Sequence, residues 1–141
     1  MKNTVKKFYR VGLAGVMGLS LLAVGNMAFA SNDNVPYSFT LKPGYGNSYS
    51  AERYRQTSDT SNKWKVNLSY SSEGAGTVAT FWLDKSTTQV SDTHDVAQGS
   101  GNHYYTAFST ANQHDVRLGA ENNNYSANSY SISGYWDEEI N

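Results

Sequence analysis

The stretch Trp64 to Asp84, WKVNLSYSSEGAGTVATFWLD, decides the fold class. Trp64, Val66, Leu68 and Tyr70 alternate with Lys65, Asn67 and Ser69. A period of two belongs to a half-buried strand, because successive side chains of extended backbone point to opposite faces, and no helix produces it. After a break, Ala79, Phe81 and Leu83 make a second apolar face, opposed by Val78, Thr80, Trp82 and Asp84. Ser71 to Thr77 lies between, and Gly74 and Gly76 give it the permissive backbone that a reversal needs. The stretch therefore reads as a hairpin of two strands. Trp82 is the one residue its face does not explain.

Similar alternation recurs on both sides. Val35, Tyr37, Phe39 and Leu41 alternate with Pro36, Ser38, Thr40 and Lys42, and Pro36, lacking an N–H, assigns that strand to a sheet edge. Val116, Leu118 and Ala120 alternate with Asp115, Arg117, Gly119 and Glu121. Tyr130, Ile132, Gly134 and Trp136 share a face of the last strand, and Asp137 to Glu139 read as a solvated acidic tail. Weaker signals lie between. Residues 47–63 have no clear period and read as a surface excursion pinned by Tyr49 and Tyr54; 85–101 holds one extended piece around Val90 or Val96. Residues 102–109 form an aromatic strand with Tyr104, Tyr105 and Phe108. Six or seven short strands with turns between them and almost no helical period predict a single all-β domain, an antiparallel β-sandwich or barrel. Its predicted core is Val66, Leu68, Phe81, Leu83, Val116, Leu118, Ile132 and Trp136.

The first 30 residues read as an export signal. Lys2, Lys6, Lys7 and Arg10 precede the apolar run Val11 to Val24, and Ala28-Phe29-Ala30 places cleavage before Ser31. The apolar run is shorter than the roughly 20 residues that span a bilayer. The expected product, residues 31–141, is a secreted domain with no transmembrane segment. Four of the 11 Lys and Arg fall in the leader and none of the 12 Asp and Glu do, leaving seven cations against 12 anions, a net charge of −5. Such a domain lacks the clustered cations that nucleic acid requires. There are no cysteines, so an exported protein that could have used disulfides must be held together another way.

Catalytic signals are sparse. His94-Asp95 with Ser91 and Asp92 invites a hydrolase reading, but no strained nucleophile turn accompanies them. His94, His103 and His114 are spread out with no metal-ligand spacing, so no metal or cofactor is expected. No two of the carboxylates Asp84, Asp115, Glu121 and Asp137 to Glu139 stand out as a glycosidase pair. The aromatics carry more. Trp64 and Trp136 share faces with aliphatic residues and read as core. Trp82 points away from Ala79, Phe81 and Leu83, between Thr80 and Asp84. It either stacks on a sugar ring, or is covered by the 85–101 loop or a second sheet. With Tyr104 and Phe108 facing the core, Tyr105 and His103 would join Trp82 in a binding surface, given neighbouring strands.

SFTLK (38–42), SYSAERYRQT (48–57), WKVNLSYSSEGAGT (64–77), VAQGSGNHYY (96–105), VRLGAENNN (116–124) and SISGYWDEE (131–139) together resemble a small exported family of Gram-positive, Bacillus-like bacteria, a domain of unknown function. The resemblance spans nearly all of residues 35–139 and implies secretion and one compact domain, with no assigned site. In composition the chain is also similar to cysteine-free, lactococcin-like bacteriocins. Three functions stay open: a non-enzymatic domain binding cell-wall carbohydrate or an extracellular protein, an antagonistic bacteriocin-like or toxin-like product, and an unrecognised hydrolase.

Overall fold

The computed structural model describes residues 32–141, so the leader and the expected cleavage before Ser31 lie outside the described residues. Ten strands follow one another: β1 (Val35–Leu41), β2 (Ser48–Tyr49), β3 (Arg53–Arg55), β4 (Trp64–Ser71), β5 (Val78–Lys85), β6 (Thr88–Gln89), β7 (His94–Ala97), β8 (His103–Tyr105), β9 (His114–Asn122) and β10 (Tyr130–Asp137). Beyond them the described residues hold one 3-10 turn, Ser109–Ala111. No described helix is long and apolar enough to cross a membrane.

All pairings are antiparallel, in two sheets. The four-stranded sheet has the order β1-β10-β4-β8, with the Pro36 strand at its edge. In the other, β9 and β5 are central; β2 and β3 share the far side of β9, and β6 and β7 that of β5. The apolar faces of the two sheets meet in one core. All eight predicted core residues are in it, each at most 1% exposed. The result is a sandwich rather than a closed barrel: two separate antiparallel sheets pack face to face over one core.

Four expectations need correction. First, β4 and β5 do not pair with each other. They lie in opposite sheets, and the Ser71–Thr77 connection is an arch between layers. Both strands carry strong apolar faces, and facing each other across the core buries both; Gly74 and Gly76 take positive φ in the arch.

Second, Tyr70 is exposed. The partners of β4 in β10 slip between Leu68, opposite Gly134, and Tyr70, opposite Ser133, leaving Ser69 as an extra residue. One bulged residue inverts the alternation beyond it, so Ser71 turns inward and Tyr70 outward. Gly134 lies beside this irregularity because the backbone there is crowded: a Cβ would meet Asn67 O at 1.9 Å. The buried Tyr37 hydroxyl donates to that same carbonyl at 2.9 Å.

Third, the 47–63 excursion contains β2 and β3, strands too short for a period to register. Tyr54 is exposed and holds nothing down, whereas Arg55 is fully buried.

Fourth, Asp137, Glu138 and Glu139 are not solvated but buried. The Glu138 carboxylate accepts from Arg53, and its carbonyl accepts from Arg55. The Glu139 carboxylate accepts the backbone N–H groups of Gln56 and Thr57 at 3.0 and 2.8 Å. Asn62 completes the strap, accepting from the N–H of Ile140 at 3.2 Å and donating to the Asn141 carbonyl at 2.9 Å. These partners all come from β3 and the segment after it, so the excursion and the tail secure each other.

Candidate functional site

Trp82 does point away from the core, but it is only 4% exposed. Cover comes from neighbouring strands of its own sheet. The indole lies over Gly119, its partner on β9, and Tyr49 of β2 meets it edge-on at 6.1 Å and 89°. Arg117 sits 3.9 Å over the Tyr49 ring and donates to Asp84 at 3.3 Å.

His103 and Tyr105 are on β8, in the opposite sheet, so the structure does not bring them together with Trp82. The assumed facing is reversed as well. Tyr104 and Phe108 are 42% and 44% exposed, while His103 and Tyr105 are half-buried. β8 pairs with β4 such that Tyr104 lies opposite the outward Lys65, and Tyr105 opposite the inward Trp64. Tyr105 instead stacks on His94 at 3.6 Å with parallel planes, closing one margin of the sandwich beside Trp64. Burial lowers the His94 pKa below its ordinary value, against the opposing pull of Asp92.

The segment read as a possible hydrolase site is dispersed. Ser91 is fully buried; its hydroxyl accepts from the N–H of Leu83 at 2.8 Å and donates to the Asp92 carbonyl at 2.9 Å. Asp95 faces outward from β7, accepting from Thr80 at 2.6 Å. Thr80 pairs with Asp95 on one side and Glu121 on the other. Burial and the nearby Asp95 charge raise Glu121 above the usual carboxylate range. These two carboxylates flank the Thr80 hydroxyl on a sheet face.

Two other surfaces are chemically distinctive. One is a groove of about 520 Å³ at the end of the sandwich, lined by Glu73, Gly76, Thr77, Val78 and Asn122 to Asn124. In the same β9–β10 connection, Tyr125 is 75% exposed and meets Tyr45 edge-on at 6.0 Å.

The second is the outer face of the four-stranded sheet. Its cross-strand rows run Pro36–Tyr135–Asn67 and Ser38–Ser133–Tyr70. Tyr70 is 53% exposed, and Tyr104 on β8 extends the aromatic surface. An amide network fixes the surface between them. Asn102 Oδ1 accepts from Tyr135 Oη at 2.6 Å and from Asn67 Nδ2 at 3.1 Å, and Ser69 donates to Asn67 Oδ1 at 2.6 Å. The charged side chains of the next row, Lys65 and Asp137, are buried and stand 3.8 Å apart. Chemically this is a neutral, rigid surface of tyrosine rings, hydroxyls and amides. Sequence reasoning missed it because the Ser69 bulge conceals which way Tyr70 points.

The sequence pattern that defines the family "Protein of unknown function (DUF2712)" matches residues 25–140. The chain belongs to that family. No curated protein and no solved structure matches it.

Proposed function

We propose that the protein is an exported, non-enzymatic binding domain of a Gram-positive cell, and that it binds wall glycan through the outer face of its four-stranded sheet. The observation that carries this reading is the uncharged array of Tyr70, Tyr104 and Tyr135 around the Asn67–Asn102 amide network. Tyrosine rings stack on the apolar faces of sugars, and amides and hydroxyls supply donors and acceptors for sugar hydroxyls. The absence of free charge fits a neutral polysaccharide. Repulsion from an anionic chain and attraction to nucleic acid would both need charges that this face lacks.

Retention of purified protein on cell-wall sacculi and on insoluble neutral glycans tests the reading. Tyr70→Ala and Tyr104→Ala should each retain the parent's melting temperature, because both rings are exposed. Each should weaken retention by about 2- to 10-fold, the equivalent of a stacking interaction worth roughly 0.5–1.5 kcal/mol. Undiminished retention in the double variant removes this face as the ligand surface. If Tyr125→Ala alone abolishes retention, the surface is the groove end of the sandwich.

A further inference from the structure

Lys65 is 1% exposed, yet its ammonium is not held by an ordinary ion pair. Nζ donates to Oδ1 of Asn32, just ahead of β1, and stands 3.8 Å from Oδ2 of Asp137, its register partner on β10. Asp137 is fully buried, and Oδ2 has no hydrogen-bond partner. A buried amine, a carboxamide and an unsatisfied carboxyl group thus converge from three separate parts of the chain. Deep burial without full satisfaction is costly for both charges, so a purely structural pair is a poor account of them.

We propose that Lys65 and Asn32 join in an intramolecular isopeptide bond, with Asp137 as the acid–base group. Transfer of one proton from Nζ to Asp137 leaves a neutral amine and a neutral carboxylic acid, and burial favours the neutral carboxyl. The Nζ lone pair adds to Cγ of Asn32, and the negative charge moves onto Oδ1. Asp137 returns its proton to Nδ2, the Cγ–Nδ2 bond breaks, and ammonia departs. The second Nζ proton passes to the regenerated Asp137 carboxylate as the new amide forms, so Asp137 ends protonated. The sum is one amine plus one primary amide giving one secondary amide plus ammonia, with no oxidant or cofactor. Burial first, then the Glu138 charge, pushes Asp137 up to about 7, against the Lys65 ammonium and the N–H groups of Glu139 and Asp33. At neutral pH this carboxyl can therefore both take up and release a proton. The product would tie the entry to β1 to the centre of its sheet, giving a cysteine-free domain a covalent staple.

Intact-mass analysis of the purified full chain, referred to whatever N-terminus sequencing finds, is decisive. The expected mass is lower than that of the sequence by one ammonia, with fragmentation locating a branched peptide joining Asn32 to Lys65. Lys65→Met and Asp137→Asn should both return the full sequence mass. An unaltered mass for the parent protein overturns the proposal. Loss of one water instead overturns Asn32 as the partner and moves the bond to Asp137. Loss of ammonia that persists in Asp137→Asn overturns the role given to that carboxyl.

Discussion

The indole of Trp82 occupies the space that a side chain at residue 119 would need: a Cβ on Gly119 would stand 2.3 Å from Trp82 Cε2 and 2.7 Å from Cζ2. The two residues are cross-strand partners, and Tyr49 pairs with Gly119 from the other side. Gly119 is thus a slot between two aromatic neighbours. A glycine in mid-strand weakens a sheet unless something covers it, and here the ring of the adjacent strand does so.

Gly119→Ala should therefore destabilise the fold by roughly 1–3 kcal/mol, as overpacking does. Trp82→Ala should cost about 3–5 kcal/mol, the range for a buried large aromatic. In the double variant the alanine at 119 should cost much less, since the ring it strikes is gone. Denaturant unfolding of all four proteins measures that coupling. Additive effects, or a Trp82→Ala variant as stable as the parent, would mean that the indole is not packed as described.

Leu68 and Phe81 face each other's sheet across the core, both fully buried. Truncating either to Ala should lower stability by roughly 2–5 kcal/mol, measured by thermal or denaturant unfolding, with no change in the secondary structure of the surviving folded fraction.

What was legible follows from where burial is one-sided. β1 buries one face, and in β4, β5, β9 and β10 the inward row is apolar while the outward row is largely polar even where it is covered, so the alternation is visible in the sequence and all eight predicted core residues are buried. Pairing was not legible, because alternation fixes which face is buried but not which strand lies alongside. β4 and β5 are therefore indistinguishable from a hairpin until the layers are known. Trp82 was oriented correctly, but its cover comes from Tyr49 in a two-residue strand that leaves no periodic trace. The acidic tail was misread because charge suggests solvent, and its burial depends on Arg53, Arg55 and Asn62, about 80 residues earlier.

Arg55 offers a test of that strap. Its guanidinium donates to the carbonyls of Glu138 and Asn62 and to Asn112 Oδ1, the last at 3.1 Å. Arg55→Ala leaves buried acceptors without donors, each worth about 1–3 kcal/mol. The variant should lose more than about 3 kcal/mol in all, and amide exchange should rise in both 53–57 and 137–141. Exchange that rises in only one of the two segments would show that they are not mutually secured.

His94 gives the fold a pH dependence with a definite sign. Burial depresses its pKa from an ordinary 6.5, so the unfolded chain takes up the proton more readily than the folded one. Its stabilising contribution is full above about 6.5 and is lost as pH falls through the depressed folded value. Asp92 opposes the depression, and the stacked Tyr105 contributes no charge. His94→Phe keeps a flat ring against Tyr105 and removes the proton site. The unfolding free energies of variant and parent should differ by a constant amount above neutrality. Below about pH 6.5 the difference should shift progressively in the variant's favour, then level off. Because the carboxylates titrate in both proteins, the difference isolates the imidazole. Asp92→Asn, by removing the opposing charge, should make the parent's acid loss larger. A difference that stays flat from pH 8 to pH 4 would mean that His94 is protonated as easily in the folded protein as in the unfolded chain.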